Sequence, residues 1–157
     1  MSNPSSLRER LSLALVTPNG GVLGFVDELL AVSREQDLQL DWQAGRCRVS
    51  FLNWAPPDWI EVPLQKAVVR AALARVAVLC NERNPNSVSP YGGQGEVVVD
   101  ADSEVAIRVT FVNTPEEQSL ELASVRLEAN HPDVGRSLAA IVEESGTRTA
   151  AQVKLTR

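Results

Sequence analysis

The sequence predicts an α+β fold in two layers, and three observations carry that expectation. Residues 38–51 alternate apolar and polar side chains about a two-residue turn, the period of a half-buried hairpin. Residues 64–82 are apolar around most of a helical circumference, as in a helix central to a core. Residues 97–127 alternate again in three short runs, the pattern of an antiparallel meander. The chain has 157 residues, 44% of them apolar and 22% charged, enough for one domain with a sizeable core. Residues 1–146 are expected to form that domain, and 147–157, small and polar with Arg148, Lys154 and Arg157, a mobile C-terminal tail.

The first helix is expected over 7–16. Ser6 with Glu9 three residues on has the form of a capping box, and Leu7, Leu11 and Leu15 share a face beside Ala14. Pro18, Asn19, Gly20 and Gly21 then break it. A second helix is expected over 22–34, with Phe25, Leu29 and Val32 on one side and Val22 and Val26 next to them. The short connection makes the two an antiparallel pair.

In the hairpin, a turn at Ala44-Gly45 pairs Trp42 with Cys47, Leu40 with Val49 and Leu38 with Phe51. All six then lie on one face. Pro56 and Pro57 stiffen the corner between Trp54 and Trp59, and 60–62 reads as a short strand. Pro63 suits the first turn of the long helix, of which Lys66 and Arg70 mark the wet edge. Residues 83–95 read as a long loop. In the meander, a turn at 101–103 aligns Val99 with Val105 and Val97 with Ile107. A loop at 114–117 puts Leu120 opposite Phe111 and Leu122 opposite Val109. The alternation slips by one residue at Ala123-Ser124, which predicts a β-bulge there. Asp133 caps a last, short helix over 134–144, closed by Gly146. Whether hairpin and meander share one sheet is left open at this level.

Fifteen basic against twenty acidic residues give a net charge of −5, which argues against a partner such as nucleic acid or an anionic membrane. No stretch approaches the 18 consecutive apolar residues of a membrane span, and the first residues lack the pattern of a secretory signal. Cys47 and Cys80 are expected to be buried thiols of a cytoplasmic protein.

One histidine and two cysteines leave no zinc ligand set, so neither a metal nor a cofactor is expected. Cys80, His131 and Asp133 are the available nucleophile, base and orienter, and no spacing joins them, so no catalytic residue is assigned. Asp100, Asp102 and Glu104 alternate around a turn but lack the closing acid of a calcium loop, and read as solubilising charges. Gly92-Gly93-Gln94 shares only its tripeptide with peptide-chain release factors, without the basic segment around it. A following strand, where a helix is required, excludes a dinucleotide fingerprint.

What remains is the segment 83–96, rich in glycine, asparagine and serine. It is either a binding loop or a connector whose polar groups satisfy its own backbone. Trp54 and Trp59 are either partner anchors or caps on the core. The leading expectation is a non-enzymatic interaction module (an adaptor, a chaperone-like protein or an accessory subunit) that binds another protein through Trp54, Trp59, Arg83, Asn86, Tyr91 and Gln94. The alternative is a small anionic ligand held by Arg70, Arg75 and Arg83 in a pocket between the long helix and the glycine-rich loop. Sheet edges left open by so few strands point to a homodimer.

The order of elements, with the stretches Asp41–Cys47 and Gly92–Val97 as turn and strand openings, resembles the type III secretion chaperones over residues 5–144. The chain departs from that pattern in its two helices before the first strand and its long loop around Pro85 and Pro90. The resemblance implies an acidic α+β dimer that binds an extended segment of a partner.

Overall fold

The computed structural model describes residues 4–16, 21–53, 58–100, 102 and 105–126. All of them belong to one unit, Met1–Leu127. The expected helix 134–144, the tail 147–157, His131, Asp133 and Trp54 lie outside the described residues.

The fold is α+β. Three helices, α1 (Pro4–Val16), α2 (Gly21–Ser33) and α3 (Lys66–Arg83), cover one face of a six-stranded antiparallel sheet. The strands are β1 (Leu38–Gln43), β2 (Arg46–Phe51), β3 (Ile60–Val62), β4 (Gly92–Asp100), β5 (Val105–Asn113) and β6 (Gln118–Arg126). Their order is β3-β2-β1-β6-β5-β4, so hairpin and meander join in one sheet through β1 and β6. The helices begin or end one to three residues from their expected bounds, as helix ends commonly do.

The hairpin register is the one the alternation demands: Trp42 faces Cys47, Leu40 faces Val49 and Leu38 faces Phe51. Its turn places Ala44 at φ 53 and Gly45 at φ 76. Two left-handed residues match the right-handed twist of the flanking strands. The inward row of the sheet continues with Val97, Ile107, Val109, Phe111, Leu120 and Leu122, all buried. Leu7 and Leu11 of α1, Phe25, Val26 and Leu29 of α2, and Val69, Leu73, Val76 and Cys80 of α3 close over it.

Two expectations for the meander are corrected. No bulge interrupts β6, since Arg108 faces Ala123, Ile107 faces Ser124 and Ala106 faces Val125 in unbroken register. The apolar pattern shifts there because the apolar face changes. On the face away from the helices, Val125, Ala106 and Val98 form an apolar row. On the helix side, Ser124 is exposed, and its N–H donates to the Asp37 carboxylate at 3.2 Å. The irregularity lies instead in β4. Ala106 faces Val98 and Val105 faces Asp100, so Val99 is the extra residue and does not pair with Val105. Three consecutive valines give alternation no means of choosing which one steps out of register.

Both cysteines are buried and unbridged. Burial, reinforced by the charge of Asp41, pushes the Cys47 thiol up to about 12, and burial alone pushes Cys80 up to about 11. Each thiol stays protonated in the folded chain after the unfolded chain has begun to ionise. The stability they contribute is therefore fully present below pH ~9 and is lost as pH rises through the folded values. The unfolding free energy read by urea denaturation should hold up to pH ~9 and fall above it, by on the order of 2 kcal/mol at pH 10.5 through Cys47 and less through Cys80. A Cys47→Ala variant should lose part of that slope. An identical slope in the variant would remove Cys47 as its cause.

Candidate functional site

The segment between α3 and β4 is built by its own side chains. Asn81, in the last turn of α3, donates through Nδ2 to the Val88 carbonyl at 3.0 Å and accepts at Oδ1 from the Val88 N–H and the Ser87 hydroxyl. The single Ser87 hydroxyl proton is shared between Asn81 Oδ1 and the Cys80 carbonyl, each 3.0 Å from Oγ. Asn113 Nδ2 donates to the Arg70 and Pro90 carbonyls, and its Oδ1 accepts from Arg70 Nε. These bonds tie the loop to α3 at one end and to β5 at the other. The connector reading thus holds for Asn81, Ser87 and Ser89, which serve backbone groups.

The loop is also shorter than 83–95, because Gly92, Gly93, Gln94 and Gly95 belong to β4. Their glycines answer to space. A Cβ on Gly92, at φ +151, would sit 2.8 Å from the Phe111 carbonyl oxygen. On Gly93 it would meet Val88 Cγ1 at 3.3 Å, and on Gly95 it would meet Cys80 Cβ at 3.0 Å and Val88 Cγ1 at 3.1 Å. Val88, buried, fills the slot that the two inward glycines leave.

What the loop does not use for itself points outward. Arg83, Asn86, Tyr91 and Gln94 are exposed, Tyr91 at 65%, the most of any large apolar residue described together with Leu13. Gln94 lies on β4, one edge of the sheet, and Tyr91 immediately precedes that strand. The ladder fixes which backbone groups of that edge are open. The Asn113 N–H donates to the Tyr91 carbonyl at 2.8 Å. Alternation along an antiparallel pair then turns Gly93, Gly95 and Val97 toward β5, and Gly92, Gln94, Glu96 and Val98 away from it. Gly92 is occupied within the chain: its N–H donates to the Ser89 carbonyl, and its carbonyl accepts from Ser89 Oγ at 3.0 Å. The N–H and C=O groups of Gln94, Glu96 and Val98 line an open edge among the described residues. The opposite edge, β3, is only three residues long.

Trp59 is not part of this surface. It precedes β3, five strand spacings or about 24 Å across the sheet from β4. Its ring lies under the Arg48 guanidinium, whose central carbon is 4.2 Å from the ring centroid. Asp41 holds that guanidinium with two bonds, of 2.9 and 2.7 Å, and Gln43 accepts a third. The Asp41 hydrogen bond raises the Arg48 pKa further, so the charge over Trp59 is permanent. Trp59 is half-buried and stacked, a support for the outer face of the hairpin.

The arginines of the ligand alternative do not converge either. A helix turns about 100° per residue, so Arg75 and Arg83 each lie about 140° round α3 from Arg70. Arg70 itself is engaged by Asn113. An open cleft of about 290 Å³ lies elsewhere, lined by Arg8 and Ser12 of α1, the Gly45-Arg46 turn, and Glu61 to Leu64. Arg46 there is paired with Glu61.

Among the described residues, no group of three His, Cys, Asp or Glu side chains is placed to hold a metal, and no helix is long and apolar enough to cross a membrane. Compared with protein-family models and with curated proteins, the sequence finds no match in either.

Proposed function

We propose that the protein is a non-enzymatic interaction module, an adaptor, chaperone-like protein or accessory subunit, and that it takes an extended segment of a partner protein as an added strand on β4. The observation that carries this reading is the open edge at Gln94, Glu96 and Val98, set in a strand of nine residues. The unpaired N–H and C=O groups of such an edge template another strand. Here the neighbouring loop is pinned by Asn81, Ser87 and Asn113, so little order has to be imposed on binding. Tyr91 beside it offers contact area with few rotatable bonds.

The ladder supplies a test that leaves the core alone. The Glu96 N–H points away from β5, so Glu96→Pro removes no bond within the sheet while it blocks the edge. The full-length protein, its Glu96→Pro variant and a Tyr91→Ala, Gln94→Ala double variant are used as baits in lysate of the source cells. The expected result is a protein captured by the parent chain and lost by both variants at unchanged Tm. In that complex, amide exchange at Gln94, Glu96 and Val98 should slow. A partner retained by folded Glu96→Pro would remove β4 as the docking edge. If nothing is captured and anionic metabolites raise Tm, a small-ligand reading stands instead.

A further inference from the structure

We infer that the segment received by β4 is an alternating one with a basic residue at the position facing Glu96. This rests on the strand-addition reading and gives the partner its chemistry. Along β4 the side chains divide by parity. Val97, which is buried, and Val99 point toward the helices, with Val88 in the slot over Gly93 and Gly95. Gln94, Glu96 and Val98 lie on the outer face.

A strand laid against Gln94, Glu96 and Val98 continues both rows. Its helix-side residues sit beside Val97 and Val99 and are selected for apolar, β-branched side chains. Its outer residues sit beside Gln94, Glu96 and Val98. Glu96 is exposed and has no ion pair among the described residues, with Arg108 directly across the ladder from it on β5. On its other side, at the open edge, a Lys or Arg of the incoming strand would stand at cross-strand distance and complete a pair. The chain as a whole, at −5, favours a basic segment in the same sense.

The test uses a phage library of randomised nonapeptides panned against the intact protein, against Glu96→Lys and against Glu96→Pro. Glu96 is exposed, so Glu96→Lys, which sets a like charge across from Arg108, should lower Tm only slightly, and the Tm of each variant confirms that it is folded. The expected parent pool alternates apolar and polar residues and carries Lys or Arg at one fixed polar position. In the Glu96→Lys pool that position should turn to Asp or Glu. A selected basic peptide should lose about two- to fivefold in affinity against Glu96→Gln, as for an exposed ion pair, and less at high salt. Alternating sequences without the charge switch would overturn the basic-residue inference and leave strand addition standing. Peptides kept equally by Glu96→Pro, or no alternating pool at all, would overturn both.

Discussion

Gly95→Val should cost about 3 kcal/mol, as a small-to-large change does where the neighbours have nowhere to go. The cause is space, because Gly95 is not held in the left-handed region. Its missing Cβ is the room in which α3 and the loop touch the sheet. A Cβ there would stand 3.0 Å from Cys80 Cβ, 3.1 Å from Cys80 Sγ and 3.1 Å from Val88 Cγ1. Alanine would force Cys80 and Val88 back by a few tenths of an ångström, and valine adds two methyls to the same place. The cysteine cannot retreat, since it sits on a buried helix face beside Val76 and Ala77. Urea denaturation of Gly95→Val would read the loss directly. The cause is checked by coupling. Gly95→Ala combined with Val88→Ala should be less destabilised than the sum of the two single changes, because the second removes the methyl that the first meets. Gly95→Val within about 0.5 kcal/mol of the parent would mean that α3 can lift from β4 at little cost, and the close approach would lose its structural importance.

That glycine also shows what could be read from the sequence and what could not. The hairpin and the pairing of β5 with β6 were legible because their contacts are local: two alternating runs joined by a short turn admit one register that puts every apolar residue on one side. Gly92 to Gly95 looked like loop because glycine carries no alternation. Yet Gly93 and Gly95 stand in step with Val97, and glycine at two successive inward positions of a strand signals another segment packed close against it. The loop's asparagines and serines were legible only as a choice between serving a ligand and serving the backbone. Asn81 serves the backbone through a partner seven residues away, and Asn113 of β5 does so through one forty-three residues away, distances that no local pattern shows. Strand order was not legible. The pairing of β1 with β6 joins Leu40 to Leu120, and nothing local specifies it. Once it forms, Trp59 and Tyr91 are carried to opposite edges, so the stacked Trp59 lies on one side of the sheet and Tyr91 and Gln94 on the other.

Phe111→Ala and Tyr91→Ala remove aromatic rings from two neighbouring places, one on β5 and one beside the β4 edge, and their effects should be opposite in kind. Phe111 is 2% exposed, faces Gly93 on one side and Leu120 on the other, and lies in the middle of the inward row. Its removal takes a large apolar surface out of the core and leaves a cavity. The lining cannot collapse into it, because Gly93 has no side chain to offer and Val88 is already held at both backbone ends by Asn81. The expected cost is about 3–5 kcal/mol, a large part of the 5–15 kcal/mol that holds a domain of this size. Tm should fall by more than about 10 °C. Tyr91 is 65% exposed, and only its backbone is bonded, through a carbonyl that accepts from Asn113 and an N–H that donates to Ser89 Oγ. Truncating its ring leaves both bonds in place, so Tm should move by less than about 1 °C while partner capture weakens. The pair separates what holds β4 in the sheet from what β4 shows to its surroundings. Equal destabilisation by the two changes would mean that the Tyr91 ring is packed in solution, and the outward side of β4 would lose its claim to be a binding edge.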